Sequence, residues 1–162
     1  MCSTRLLSSV IASACLLTIT ASTKVSKCRD SKLAQLSDNE ITISSCSQPP
    51  CTLKRNTQPS ISIKMKPEKD VPGVTTQASA YILGVPFPFL GVDGTSACPN
   101  MYSEDGKTKV GCPLKAGQTY QYKNEFKVLQ IYPKIRVDVH WALTNNVTGK
   151  PMLCFEVPAK IA

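Results

Sequence analysis

Few residues in this chain are of types that do chemistry, and their spacing limits what chemistry is open to them. There is one histidine, His140, in 162 residues. A histidine-based zinc site needs further ligands of the right spacing, and none are offered. His140 sits between Val139 and Trp141, in the outward phase of an alternating run, and reads as a surface histidine. Glu104-Asp105 is a paired acid, but Gly106 follows it in a polar stretch, and a solvated turn accounts for it. Glu156, flanked by Phe155 and Val157, reads as a surface carboxylate. No Gly-x-Ser-x-Gly elbow, phosphate-cradling glycine loop or calcium-loop pattern occurs. The inventory points to a binding protein, not an enzyme, with no catalytic residue, metal or cofactor expected.

The cysteines have a different use. Met1 to about Ser22 carries one charge, Arg5, then an apolar run from Leu6 through Thr20 and the small residues Ala21 and Ser22. That is the pattern of a secretory signal peptide, so residues 1–22 are expected to be removed and 23–162 to form the mature, exported, soluble domain. Cys2 and Cys15 leave with the signal. Cys28, Cys46, Cys51, Cys98, Cys112 and Cys154 remain, an even number in an exported domain, which implies three disulfides. Cys46 and Cys51 bracket the turn Ser-Gln-Pro-Pro, and Cys98 and Cys112 bracket a polar loop. Both pairs read as local staples, leaving Cys28 to join Cys154 and tie the two ends together.

The elements that position these residues follow from periodicity. From Ile135 to Leu143 the residues Ile135, Val137, Val139, Trp141 and Leu143 alternate with Arg136, Asp138 and His140, the period of a strand with one buried face. Tyr120, Tyr122 and Phe126 alternate similarly against polar neighbours. Pro133 lies between the two runs, so the chain must bend or cross there. Ile41 and Ile43, then Ile61, Ile63 and Met65, then Leu153, Phe155 and Val157 add further strands, and residues 24–36 suggest a polar first or edge strand. Around Val74–Leu83 the residues Ala78 and Ala80 are small enough to leave room for something. About seven short strands, regular turn signals and no helical period indicate an all-β sandwich with Greek-key character.

Gly84-Val85-Pro86-Phe87-Pro88-Phe89-Leu90-Gly91 stands apart, because two prolines exclude it from a sheet interior while two phenylalanines make it apolar. Asn146-Val147-Thr148 is an N-glycosylation sequon at a turn. Net charge is +8, or +7 without Arg5. The lysines are scattered and not interleaved with aromatics, so nucleic acid is not expected as a partner. A basic surface suits anionic lipid headgroups instead.

Taken in order, Gly84-Val85-Pro86-Phe87-Pro88-Phe89, Cys112-Pro113-Leu114 with Thr119-Tyr120-Gln121-Tyr122, the Tyr132-Pro133 step before Trp141, and Leu153-Cys154-Phe155-Glu156-Val157-Pro158 resemble the ML lipid-recognition family. The similarity is greatest to its Niemann–Pick type C2 cholesterol-transfer and mite group 2 allergen branches and covers essentially the whole mature chain. It implies an immunoglobulin-like β-sandwich of two antiparallel sheets with a lipid pocket between them. It also supports the three disulfide pairings reached from spacing. It implies that Phe89, Val128 and Tyr132 line the pocket mouth. Phe87 stands where the cholesterol-transfer branch has a smaller residue, which suggests a narrower portal. Trp141 belongs to the inward face of the slot.

The resemblance implies a secreted protein, extracellular or lysosomal, that acts as a monomer. It would hold a sterol or another hydrophobic lipid and deliver it to membranes, anionic ones included, or to a membrane sterol transporter. Two alternatives stay open: recognition of microbial lipid in innate immunity, and carriage of fatty acids or small hydrophobic signals. An empty sandwich acting through protein contacts alone is a third. If Val128 lines the portal, Val128→Trp is expected to block uptake and leave the fold intact.

Overall fold

The computed structural model describes residues 22–29, 40–44 and 46–162. Residues 1–21 of the expected signal peptide, and 30–36 of the expected first strand, lie outside the described residues. Among the described residues ten strands run in order: β1 (Ser26–Lys27), β2 (Ile41–Ile43), β3 (Cys51–Leu53), β4 (Ser60–Met65), β5 (Val74–Ile82), β6 (Val85–Pro88), β7 (Met101–Ser103), β8 (Tyr120–Glu125), β9 (Arg136–Asn145) and β10 (Pro151–Ile161). One sheet runs β1-β10-β9-β5-β6 and the other β2-β4-β8-β7. All pairings in these two orders are antiparallel, and β3 joins β10 in parallel register, Ala159 opposite Cys51.

The alternation read from the sequence becomes the core. Ile61, Ile63 and Met65 of β4 and Tyr120 and Tyr122 of β8 are buried against Val137, Val139, Trp141 and Leu143 of β9 and Phe155 and Val157 of β10. Two inward faces of this kind pack about 10 Å apart, the thickness of two interdigitated side-chain layers. β8 ends at Glu125, well before Pro133. Beyond it the chain crosses between sheets, and Val128 makes a two-bond bridge there: its N–H donates to Thr57 O at 3.0 Å and its carbonyl accepts from Asn56 N at 2.7 Å. The Pro/Phe segment is an edge strand, β6, where a missing N–H costs no ladder bond. It follows a tight turn at Leu83 (φ 51) and Gly84 (φ 83), the left-handed pair that a two-residue hairpin requires.

The disulfides join Cys28–Cys154, Cys46–Cys51 and Cys98–Cys112, with Cα separations of 5.8, 5.2 and 5.2 Å. The first lies on the outer face of the larger sheet and changes what surrounds it. Glu156 was expected at the surface, yet it is only 8 % exposed. Arg29, brought over it by the Cys28 link, donates from Nε at 3.1 Å and from Nη2 at 3.0 Å to its carboxylate. The same guanidinium reaches Asp138 at 3.3 Å and stacks over Tyr81 at 4.5 Å. His140, also expected at the surface, is half-buried edge-on to Tyr81, with Nδ1 3.4 Å from Glu156. Alternation correctly pointed both residues outward. The N-terminal segment then covered them.

Burial raises the pKa of the Glu156 carboxyl, while hydrogen bonds from Arg29 and then His140 lower it, and the net direction is down. A carboxylate with a depressed folded value contributes stability above its unfolded value of about 4.3 and loses it as the pH falls through the folded one. The expected result is that Glu156→Gln lowers the melting temperature at pH 7, and that its gap from the parent closes only below about pH 4. A gap that stayed constant down to acid unfolding would remove this ion pair from the account.

Candidate functional site

The end of the sandwich where β5 stops and β9 starts holds a cavity of about 460 Å³. Ala80 and Ile82, at the end of β5, supply one side. Phe87, Pro88, Phe89 and Leu90 wrap another, and Tyr132, Pro133 and Ile135 close it from the crossover, with Ile161 of β10 behind. Nearly every lining group is carbon, in a space of the size small hydrophobic ligands occupy, about 300–1,000 Å³. The polar exception sits at the rim. The Tyr132 hydroxyl accepts the Leu90 N–H at 3.1 Å, which pins the segment after β6 and leaves the phenolic proton free to donate.

A row of rings leads inward from this mouth. Tyr132 meets Phe89 at 5.9 Å, Phe89 meets Phe126 at 5.6 Å, Phe126 meets Trp141 at 5.5 Å, and Trp141 meets Tyr122 at 6.4 Å, all tilted or edge-on. The row runs between the two sheets. At its inner end Tyr122 exchanges a hydrogen bond with Thr76 at 3.1 Å and accepts one from Asn124 at 2.8 Å. Burial pushes the Tyr122 phenol up, so it stays protonated. The Trp141 indole N–H is buried with no acceptor among the described residues.

The structure therefore brings Phe87, Phe89 and Tyr132 together around one cavity. Val128 and Trp141 do not line it. Val128 has no exposed surface, so an indole at that position would be forced into a packed wall. Val128→Trp is thus an overpacking substitution, costing about 1–3 kcal/mol of stability, and not a clean plug. Ile82, Ile135 and Ile161 line the cavity and were not singled out as site residues. The small Ala80 was the signal that space lay beside β5, and Ile135 was placed in the inward phase.

Outside the mouth the surface is apolar. Leu83 (102 % exposed), Val85, Phe87, Leu90 and Ile131 all present side chains to solvent, and Lys127 and Lys134 are exposed on the same crossover. Elsewhere, His140 and the sulfurs of Cys28 and Cys154 bring ligand-type atoms within 4.8 Å of one another. Both sulfurs are held in the disulfide, and a metal needs the thiolate. Asn146 is exposed on the β9–β10 turn, its N–H bonded to Gly73 O at 3.0 Å.

Fold and site together define a small disulfide-braced β-sandwich with an apolar cavity at one end, walled by β5, β6, β10 and the crossover. The family profile described as ML domain matches residues 22–161, and the chain belongs to the ML-domain family. Among relatives it is 37 % identical over 111 residues to the ecdysteroid-regulated 16 kDa protein of Manduca sexta, covering 68 % of this chain and 70 % of the relative. It is 35 % identical over 111 residues to NPC intracellular cholesterol transporter 2 homolog a of Drosophila melanogaster, covering 68 % and 69 %. The crystal structure of a Niemann-Pick type C2 protein from Japanese carpenter ant superposes with a TM-score of 0.63 at 31 % identity, over 76 % of this chain and 89 % of that one.

Proposed function

We propose that this chain is a non-enzymatic lipid carrier. It takes up a sterol or similar hydrophobic molecule through the mouth formed by Phe87, Phe89 and Tyr132, holds it between the sheets, and delivers it to membranes or partners. The observation that carries the reading is the apolar cavity at the end of the sandwich, whose wall residue Phe89 also begins the row of rings between the sheets. Burial at roughly 2.5 kcal/mol per 100 Å² of apolar surface drives such binding with few polar contacts. Tyr132 offers a hydroxyl donor at the entrance, and separation of the rings would give a ligand the unpaired Trp141 N–H. The similarity to the fly cholesterol transporter homolog favours a sterol. Phe87, half exposed over the mouth, favours a thinner ligand such as a fatty acid, which is the second reading.

The same proposal takes residues 1–22 as a signal peptide removed on export to the extracellular space or a lysosomal lumen, the domain as a monomer, and Asn146 as glycosylated. The exposed apolar rim flanked by Lys127 and Lys134 suits docking on an anionic bilayer, where the mouth would face the lipid. A membrane sterol transporter is the other acceptor it would serve.

Ile135→Trp is the test. Ile135 is half-buried and borders the cavity, so the indole fills open space and not packed core. The expected result is at least a tenfold rise in the Kd for a fluorescent sterol, with the melting temperature within a few degrees of the parent. Unchanged sterol affinity in the folded variant, together with a parent protein that carries no lipid by native mass spectrometry, would overturn the carrier reading.

A further inference from the structure

The opposite end of the sandwich is built differently. β9 runs ten residues from the mouth to Asn145, about 30 Å at the rise of an extended chain. There a second cleft of about 530 Å³ opens between the end of β4 and the β9–β10 turn. Its floor is apolar: Met65, Val71 and Leu153 are buried and Met152 is partly so. A two-bond bridge between Val71 and Leu114, 2.9 Å in both directions, fixes that floor.

Its rim is basic. Lys64, Lys66, Lys69 and Lys150 border the cleft, against Glu40 and Glu68. Lys64 is held by Glu104 at 3.1 Å. The neighbouring Asp70 is engaged by Lys115 at 2.9 Å and accepts the Ala116 N–H at 2.8 Å, so it does not neutralise the rim. Lys66, Lys69 and Lys150 are exposed, and none forms an ion pair with a described residue. Three ammonium groups outside any ion pair with a described residue, in excess over the rim carboxylates Glu40 and Glu68, stand over a floor that includes two adaptable thioethers, and that combination complements one kind of small molecule, an alkyl chain ending in an anion.

We propose that this cleft is a second ligand site, for a single-chain anionic amphiphile of the fatty-acid type. The carboxylate lies among Lys66, Lys69 and Lys150, and the chain lies on Met65, Val71, Met152 and Leu153. The site is independent of the apolar mouth and does not rest on the carrier reading.

The methionines report on it directly. Met65 and Met152 line the cleft, whereas Met101 is fully buried in β7, away from both sites. Protein carrying methyl-labelled methionine is titrated with dodecanoate below its micelle-forming concentration and followed by NMR. The Met65 and Met152 methyl resonances are expected to move while Met101 stays, and to move equally in Ile135→Trp, where the other mouth is blocked. Lys66→Glu with Lys150→Glu should weaken the response at least tenfold, with the Met101 resonance certifying the fold.

Dodecyltrimethylammonium, with the same chain and the opposite charge, should leave the two methyls in place, as should acetate. Immobile Met65 and Met152 methyls overturn the proposal. A response abolished by Ile135→Trp overturns it too, because dodecanoate would then be binding at the mouth. An equal response to the cationic chain means adventitious apolar contact only, and an equal response to acetate means an adventitious ion only.

Discussion

A chain carrying Cys28→Ser and Cys154→Ser together is expected to lose about 4–5 kcal/mol of stability, enough to leave it close to unfolding at 37 °C. The bond spans a sequence separation of 126 residues, against 5 for Cys46–Cys51 and 14 for Cys98–Cys112. On the chain-entropy account the stabilisation grows with the closed loop, so removing the shortest staple should cost only about 2 kcal/mol. Urea titrations of the parent and the two double variants test the order directly. The long link also holds Arg29 over Glu156, so its removal should abolish the pH-dependent contribution of that pair as well. A Cys28/Cys154 variant within about 1 kcal/mol of the parent would show that strand pairing and Arg29 hold the ends without the covalent bond.

Trp141→Ala should be comparably severe. Trp141 is 1 % exposed and packs between Phe126 and Tyr122 at the centre of the aromatic row. Truncating a buried aromatic costs about 3–5 kcal/mol, since the surrounding wall closes the gap only in part. For a domain of this size that is a fall of about 10–15 °C in melting temperature. Trp141→Phe separates the core role from contact with ligand. It keeps most of the packing and removes the indole N–H that has no acceptor among the described residues, so stability should fall far less. If a sterol hydroxyl uses that N–H, sterol affinity drops in Trp141→Phe more than fatty-acid affinity does. Equal, small effects on both ligands would leave Trp141 as core alone.

How much of this was legible in the sequence depended on how local each feature is. The period of two from Ile135 to Leu143 marked β9 to within a few residues, because the inward face must be apolar whatever the strand's neighbours are. The parallel pairing of β3 with β10 left no local mark, since Cys51 and Ala159 meet only in the folded chain. β6 was legible as extended and apolar but not as a strand, as its two prolines exclude it only from the interior of a sheet. Phe87 and Phe89 were nameable from the compact Pro/Phe segment, and Tyr132 from the Tyr132-Pro133 step that the family resemblance picks out. Ile82, Ile135 and Ile161 come from the ends of different segments, and only strand register brings them to one cavity. Val128 was close in sequence to the mouth, but spacing does not say which side of the wall a residue occupies. The covering of His140 and Glu156 follows from the Cys28–Cys154 pairing, which was read correctly without drawing out what the N-terminal segment would lie upon.

The chain's last residues bear on how the protein should be handled. The Ile161 N–H donates to Ile135 O at 2.9 Å, and Ala162 is bonded through both its N–H and its carbonyl to Leu53 and Arg55 at 3.0 Å. Ile161 is at the same time part of the cavity wall. An affinity tag or fluorescent fusion appended after Ala162 would begin at the rim of the opening, tethered within reach of it, and would compete with or shield whatever enters. Binding data gathered on such a fusion would describe the appendage as much as the domain.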